Sequence, residues 1–138
     1  MDVKTAFLNG VVEEEVYVEQ PLSFETHDRE SHVCLLKKSM YGLKHAPRTW
    51  YGRIDSFLTS LGFIKSKEDS NLYYKVEEGN PMILLLYVDD LFVTGVDGLI
   101  VDTKRNIAAE LEMKDLGMIH YFLDMEVWQN VDGISLGQ

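Results

Sequence analysis

The feature that most constrains the fold is a continuous apolar run, Met82 to Val88, which ends in two adjacent aspartates, Asp89 and Asp90. The run is far too short to span a bilayer, for which about 20 residues are needed. It lacks polar alternation, which is typical of a strand that is buried on both faces. A second apolar segment, Leu91 to Thr94, follows the aspartates and closes at Gly95. We therefore predict a central hairpin whose two strands meet at the acidic pair.

The acidic pair itself allows two interpretations. Aspartate is common in turns, so Asp89 and Asp90 could serve only to reverse the chain. A dipeptide that contains glycine would form a tight hairpin turn more easily, however, and two adjacent carboxylates repel each other. A divalent cation would relieve that repulsion, since hard cations prefer carboxylate oxygen. These residues alone leave the turn and the metal site as open alternatives.

The rest of the chain shows two helical patterns among several strand patterns. Apolar residues recur at spacings of three and four from Pro47 to Leu61 and from Ile100 to Met113, as on one face of a helix. Other strand patterns are Glu15–Glu19, His32–Lys37, Leu72–Val76, Tyr121–Val127 and Ile134–Leu136. This order indicates an α+β fold, in which a mostly antiparallel sheet carries two helices on one face.

Composition narrows the class of protein further. The 138 residues suit one domain, and 46% apolar residues suffice for a core. A net charge of −10 disfavours simple electrostatic binding to nucleic acid. The single cysteine, Cys34, cannot form an internal disulfide, and its strand context predicts a small buried hydrophobe. The N-terminus lacks a secretion signal, so we expect a soluble intracellular protein, with no membrane partner, in a cytoplasmic particle or the nucleus.

Three segments together resemble the reverse transcriptase domain of copia-type retrotransposons. These segments are Met1–Gly10 (MDVKTAFLNG), Lys37–Trp50 (KKSMYGLKHAPRTW) and Tyr87–Asp90 (YVDD). The similarity runs through nearly the whole chain in the order of the family. It implies that residues 1–138 are a partial reverse transcriptase domain, with a palm-like, ferredoxin-like antiparallel sheet and two helices on one face. The fingers and thumb are expected to be largely missing.

The resemblance implies an RNA-directed DNA polymerase that transfers nucleotides to a primer 3′-hydroxyl. Asp2, Asp89 and Asp90 match the catalytic carboxylates of the family, which hold two Mg²⁺ ions, with Mn²⁺ as an alternative ion. The backbone carbonyl of Val3 would add a metal contact. Because Asp2 lies next to the chain end, we expect it to fray, and autonomous catalysis by these residues is not expected.

The resemblance also implies residues that contact substrates. The nucleotide-binding residues would be Phe7, Tyr41, Gly42, Lys44 and Lys114, with Phe7 selecting against a 2′-hydroxyl and Lys114 in a loop after the second helix. The primer and template contacts would be Tyr87, Val88, Pro47, Phe122 and Leu123. Two positions depart from the family: Asp124 stands where glycine is common, and His45 where glutamine is usual.

The partners that the resemblance implies are an RNA or DNA template with its primer, deoxynucleoside triphosphates, and the rest of a Pol polyprotein with its integrase, protease and ribonuclease H. Two alternatives have other consequences. The chain could be an inactive, domesticated or decayed remnant of such an element, or a calcium- or magnesium-binding module unrelated to polymerases. An upstream reading frame that continues through the fingers would favour the enzyme over the remnant.

Overall fold

The computed structural model describes residues 1–12, 14–25, 31–122, 124–130 and 133–137. Those residues form two α-helices, α1 (Ala46–Ser60) and α2 (Asp97–Glu110), and a short 3₁₀ helix, Ala6–Asn9. The strands in chain order are β1 (Asp2–Val3), β2 (Tyr17–Val18), β3 (Cys34–Leu35), β4 (Ile64–Lys65), β5 (Leu72–Glu77), β6 (Asn80–Tyr87), β7 (Asp90–Thr94), β8 (Met113–Lys114), β9 (Tyr121–Phe122), β10 (Met125–Asn130) and β11 (Gly133–Gly137). No helix within these ranges is long and apolar enough to cross a membrane.

In the part of the chain that the structure describes, the strands form three antiparallel sheets. The largest has six strands in the order β4-β5-β6-β7-β1-β8, a second has the order β11-β10-β9, and β2 pairs with β3. The predicted central hairpin is β6–β7, with Leu84 opposite Val93 and Tyr87 opposite Asp90. The antiparallel α+β arrangement is thereby confirmed.

Strand β6 is buried on one face only, so the prediction of burial on both faces is wrong. Met82, Leu84 and Leu86 are buried, whereas Ile83 and Tyr87 on the opposite face are more than two-fifths exposed. The apolar residues of β6 alternate between a covered and an open face because side chains point alternately to the two sides of a sheet. The continuous apolar sequence therefore does not indicate two covering layers here.

Both helices pack on the covered face of this sheet. Helix α1 begins at Ala46, with Pro47 in its first turn, and buries a residue every fourth position along one side, at Ala46, Trp50, Ile54 and Leu58. Helix α2 buries Thr103 and Ile107. Among the described residues, one hydrophobic core joins both helices to the sheet. Its large members include Trp50, Ile54, Leu58, Tyr73, Met82, Leu84, Leu91 and Ile107.

The second helix ends earlier than its pattern predicts. Helix α2 stops at Glu110, and Met113 and Lys114 form β8 beside β1, so Lys114 lies in a strand and not in a loop. The apolar spacing continues to Met113 because Leu111 and Met113 still face the core after the helix has ended. A periodic pattern of apolar residues therefore extends beyond the hydrogen-bonded helix.

The C-terminal strands form the second sheet. The segment Tyr121–Val127 is not one strand, because a turn that includes Asp124 separates β9 from β10. Asp124 has φ 63°, in the left-handed region that favours glycine. Leu123 lies outside the residues that the structure describes. A glycine, which the resemblance implies at this position, would adopt the same φ without a side-chain penalty.

The small sheet of β2 and β3 lies apart from the core. Cys34 is exposed, which corrects the prediction that it is a buried hydrophobe, and its neighbour Leu35 is half exposed. The apolar sequence around Cys34 pairs with β2 through backbone hydrogen bonds, at Tyr17–Leu35 and Val18–Cys34, without contributing to the main core.

Candidate active site

The candidate site is built where β1 lies beside the β6–β7 hairpin. Asp2 and Asp90 are direct partners in neighbouring antiparallel strands, and Asp89 occupies the turn between the hairpin strands. The amide of Val3 donates to the carbonyl of Asp89 at 2.8 Å, and the amide of Leu91 donates to the carbonyl of Met1 at 2.8 Å. Asp2 and Asp90 are 88 positions apart in sequence, and their pairing brings them, with Asp89, to one end of the sheet.

Strand β1 is an inner strand rather than a frayed end. It lies between β7 and β8, the Met1 amine donates to the Leu91 carbonyl at 2.9 Å, and Met1 and Val3 are buried. The expectation that Asp2 frays is therefore wrong. An isolated aspartate near a terminus gives no sequence signal of such pairing, because the partners are supplied by β7 and β8 far along the chain.

The carboxylates interact electrostatically. The pKa of Asp90 is raised, first because the carboxyl is partly buried and then because of the negative charges of Asp89 and Asp2. The ionised form of Asp90 is therefore disfavoured by its surroundings. A cation placed among these side chains would oppose that effect.

The residues fit a divalent metal in donor chemistry. Three carboxylates and the backbone carbonyl of Val3 supply the hard oxygen ligands that Mg²⁺ prefers, and the repulsion at Asp90 is the kind that bound Mg²⁺ relieves. In the part of the chain that the structure describes, no three Asp, Glu, His or Cys side chains already form a metal-ligand group. Metal binding would therefore require the carboxylates to close on the ion.

Lys114 lies on the far side of Asp2 from the hairpin. It is the direct partner of Asp2 in the β1–β8 pair, and directly opposite residues of an antiparallel pair project from the same face. Asp90, Asp2 and Lys114 therefore stand in a row across three strands on one face of the sheet. The sequence did not predict this row, because Lys114 was expected in a loop and a loop has no strand pairing with β1.

Phe7 and Tyr41 are brought together beside β1. Phe7 is in the 3₁₀ helix that follows β1, and its ring packs edge-on against Tyr41 with centroids 4.7 Å apart. The Ser39 amide donates to the Gly10 carbonyl at 3.0 Å, which fastens the segment before Tyr41 to the end of that helix. Two predicted nucleotide contacts, far apart in sequence, thus form one aromatic pair.

The other residues predicted from the motif around Tyr41 lie in the turn that leads to α1. Gly42 has φ 88°, a conformation that side chains rarely adopt, so glycine is required by the backbone. Lys44 is exposed, and Pro47 is exposed in the first turn of α1. These residues follow the Phe7–Tyr41 pair along the chain.

Two of the predicted primer contacts meet on the open face of the hairpin. The Phe122 ring of β9 packs edge-on against Phe92, with centroids 4.6 Å apart, and lies 6.3 Å from the Tyr87 ring. Val88 is half exposed at the hairpin turn. The aromatic contacts place the end of β9 next to the strand that carries Asp90.

The fold defines an antiparallel α+β domain. Its acidic cluster, which consists of Asp2, Asp89 and Asp90, lies at one end of the main sheet. The family model for reverse transcriptase (RNA-dependent DNA polymerase) matches residues 1–138. The chain belongs to this reverse transcriptase family, which confirms the resemblance to copia-type retrotransposons.

Three of the relatives are Pol polyproteins from transposons. The chain is 48% identical over 129 residues to the retrovirus-related Pol polyprotein from transposon TNT 1-94 of Nicotiana tabacum, and this covers 92% of the chain. It is 38% and 37% identical, over its full length, to the Pol polyproteins from transposons RE1 and RE2 of Arabidopsis thaliana. The matched regions span 10% of each of these three relatives. No solved structure matches the chain.

Proposed function

We propose that the chain is the palm core of a copia-type reverse transcriptase and that it catalyses two-metal nucleotidyl transfer to a primer 3′-hydroxyl within a longer Pol polyprotein. The observation that carries this proposal is the direct pairing of Asp2 with Asp90 beside the Asp89 turn. Family membership supplies the reaction class, RNA-directed DNA synthesis.

Asp2, Asp89 and Asp90, with the Val3 carbonyl, would hold two Mg²⁺ ions, or Mn²⁺ in their place. When bound, such ions lower the pKa of the attacking hydroxyl and neutralise charge on the triphosphate. The protein's own part is positioning, because phosphoryl transfer depends mainly on alignment and charge. The β1–β7 hydrogen bonds fix the backbone of Asp2 and Asp89 relative to each other, which supports this role.

The residues around the acidic cluster would bind the substrates. Lys114, which lies in the same row as Asp2, would offer a positive charge to the triphosphate. Phe7, fixed by Tyr41, would exclude a 2′-hydroxyl, while Gly42, Lys44 and Pro47 would line the nucleotide and template path.

The primer end would lie against the open face of the hairpin. Tyr87 is exposed there with Phe122 beside it, and Val88 is exposed at the hairpin turn. The template would be RNA or DNA, the substrates deoxynucleoside triphosphates, and the other domains of the polyprotein would complete the nucleic-acid grip. An overall charge of −10 is consistent with a segment that relies on other segments for that grip.

A chimeric polymerase tests this proposal. The 138 residues would replace the matching segment of the tobacco Pol polyprotein, to which they are 48% identical. We expect primer extension on an RNA template in Mg²⁺, and a loss of at least about 1,000-fold in the chimera with Asp89→Asn, since ligand and charge are both removed. A chimera that folds but extends no primer would favour the inactive remnant.

A further inference from the structure

Val88, in the turn of the β6–β7 hairpin, has a backbone conformation that valine disfavours. Val88 has φ 55°, and a β-branched residue in the left-handed region is a strained outlier. Such conformations persist only where surrounding contacts hold them, and they concentrate at functional sites. Val88 directly precedes Asp89 and Asp90, so a contact that holds the conformation of Val88 also affects the position of these two aspartates.

That contact comes from the core. The indole Nε1 of Trp50 donates a 2.6 Å hydrogen bond to the carbonyl of Val88, across 38 residues of sequence. The Trp50 ring is 2% exposed and sits on the buried side of α1, so its direction is fixed by packing. An indole N–H can only donate, and a buried one requires a partner. The partner of the Trp50 N–H is the carbonyl of the strained residue Val88.

The turn is consequently held from two sides. Trp50 binds the carbonyl of Val88, and the amide of Val3 in β1 binds the next carbonyl, that of Asp89. Since these carbonyls flank the α-carbon of Asp89, their two hydrogen bonds orient the backbone from which its carboxylate projects. The helix and β1 thus converge on the same dipeptide.

We propose that Trp50 is a positioning residue for the catalytic aspartates: its indole N–H fixes the Val88 carbonyl in the left-handed turn and so presets the directions of the Asp89 and Asp90 carboxylates toward metal. This inference rests on the proposed function, because Trp50 can affect catalysis only if Asp89 and Asp90 are catalytic. The hydrogen bond itself is independent of any metal. In this role Trp50 acts through the backbone of Val88.

The test uses the 138-residue chain with Trp50→β-(3-benzothienyl)alanine, which keeps the shape of the ring and replaces the N–H by sulfur. Trp128→β-(3-benzothienyl)alanine is the matched control, because Trp128 is half exposed on β10. Two quantities are measured by NMR and titration: the one-bond Cα–Hα coupling of Val88, which reports the sign of φ, and the affinity for Mn²⁺.

At position 50 we expect Val88 to leave positive φ, the Tyr87–Asp90 amide signals to shift, and Mn²⁺ affinity to fall about tenfold, as for loss of one buried hydrogen bond. Signals of the buried Ile54 and Leu58 should stay in place, which separates positioning from unfolding. The control should change neither quantity.

Unchanged Val88 coupling and unchanged Mn²⁺ affinity in the position-50 variant would overturn the positioning role. If the wild-type chain binds no Mn²⁺ at the aspartates, the metal assignment of the proposed function fails, and the Val88 coupling alone decides whether Trp50 fixes the turn. A Val88 that keeps positive φ without the indole N–H would overturn the inference in that case also.

Discussion

Asp2 and Asp90 face each other directly across neighbouring antiparallel strands. This pairing joins the beginning of the chain to the hairpin that follows its longest apolar run. It brings like charges together, so the site carries an electrostatic penalty in the absence of a cation.

That penalty predicts the effect of Asp90→Asn on stability. A raised carboxyl pKa means that the folded chain holds the proton more tightly than the unfolded chain, so ionisation of Asp90 destabilises the fold as pH rises through that pKa. We expect Asp90→Asn to increase the free energy of unfolding at about pH 7, by less than about 1 kcal/mol because solvent screens a partly buried group. Below the ordinary value of 3.8 the gain should vanish.

Urea unfolding monitored by circular dichroism at about pH 7 and about pH 3 measures this effect. Asp97→Asn is the control of opposite sign, because Asp97 lies in the first turn of α2, where a carboxylate stabilises the helix dipole. Equal or lower stability of Asp90→Asn at neutral pH would show that burial and the charges of Asp89 and Asp2 do not disfavour the ionised carboxyl of Asp90.

Phe7→Ala tests the selection of the sugar. In the chimeric polymerase we expect incorporation of ribonucleotides relative to deoxynucleotides to rise by at least about tenfold, because the ring that would meet a 2′-hydroxyl is removed. The control is Phe57→Ala on α1, which also removes a partly buried ring but lies outside the proposed site. Discrimination that stays the same in Phe7→Ala would assign the ring to packing alone.

Tyr73→Phe tests the network that ties α1 to the edge of the sheet. The fully buried Tyr73 donates to Asp55 Oδ1 at 2.7 Å, and Lys65 pairs with the same oxygen at 2.9 Å. Loss of the hydroxyl should lower the free energy of unfolding by about 1 kcal/mol. Tyr74→Phe, at the adjacent exposed position, should change it by less than about 0.5 kcal/mol. Chemical denaturation of both variants gives the comparison, and similar losses would mean that the hydroxyl of Tyr73 contributes nothing specific.

Asp124→Gly tests the backbone of the β9–β10 turn. Glycine adopts the observed φ of 63° without the steric penalty of a side chain, so we expect a gain of about 0.5 kcal/mol after its larger unfolded-state entropy is subtracted. Asp124→Ala keeps the penalty and should give no gain. Thermal unfolding of the two variants distinguishes them, and a stabilising alanine would point to charge rather than to backbone conformation.

Local pattern predicted the elements whose partners are near in sequence. The spacing that begins at Pro47 gave α1 within about a residue at either end, and the acidic hairpin followed from two apolar segments that flank Asp89 and Asp90. Both depend on short-range periodicity. Resemblance to a family contributed Asp2, which periodicity alone could not connect to the hairpin.

Features that depend on distant packing were not predictable from pattern. The open face of β6 depends on which layers cover the sheet, and the strand at Lys114 depends on β1 as its partner. The bond from Trp50 to Val88 joins a helix to a turn, and neither residue carries a sequence signal for it. Exposure of Cys34 has the same origin, since the β2–β3 pair does not join the core.

Paramagnetic broadening by Mn²⁺ in the isotope-labelled chain is the most direct test of the central claim, which is that Asp2, Asp89 and Asp90 bind a divalent cation together. We predict that substoichiometric Mn²⁺ removes the signals of these three residues first, that excess Mg²⁺ restores them, and that Asp89→Asn abolishes the response. Broadening centred on another acidic pair, such as the exposed Glu77 and Glu78, or spread evenly over the surface, would contradict the claim.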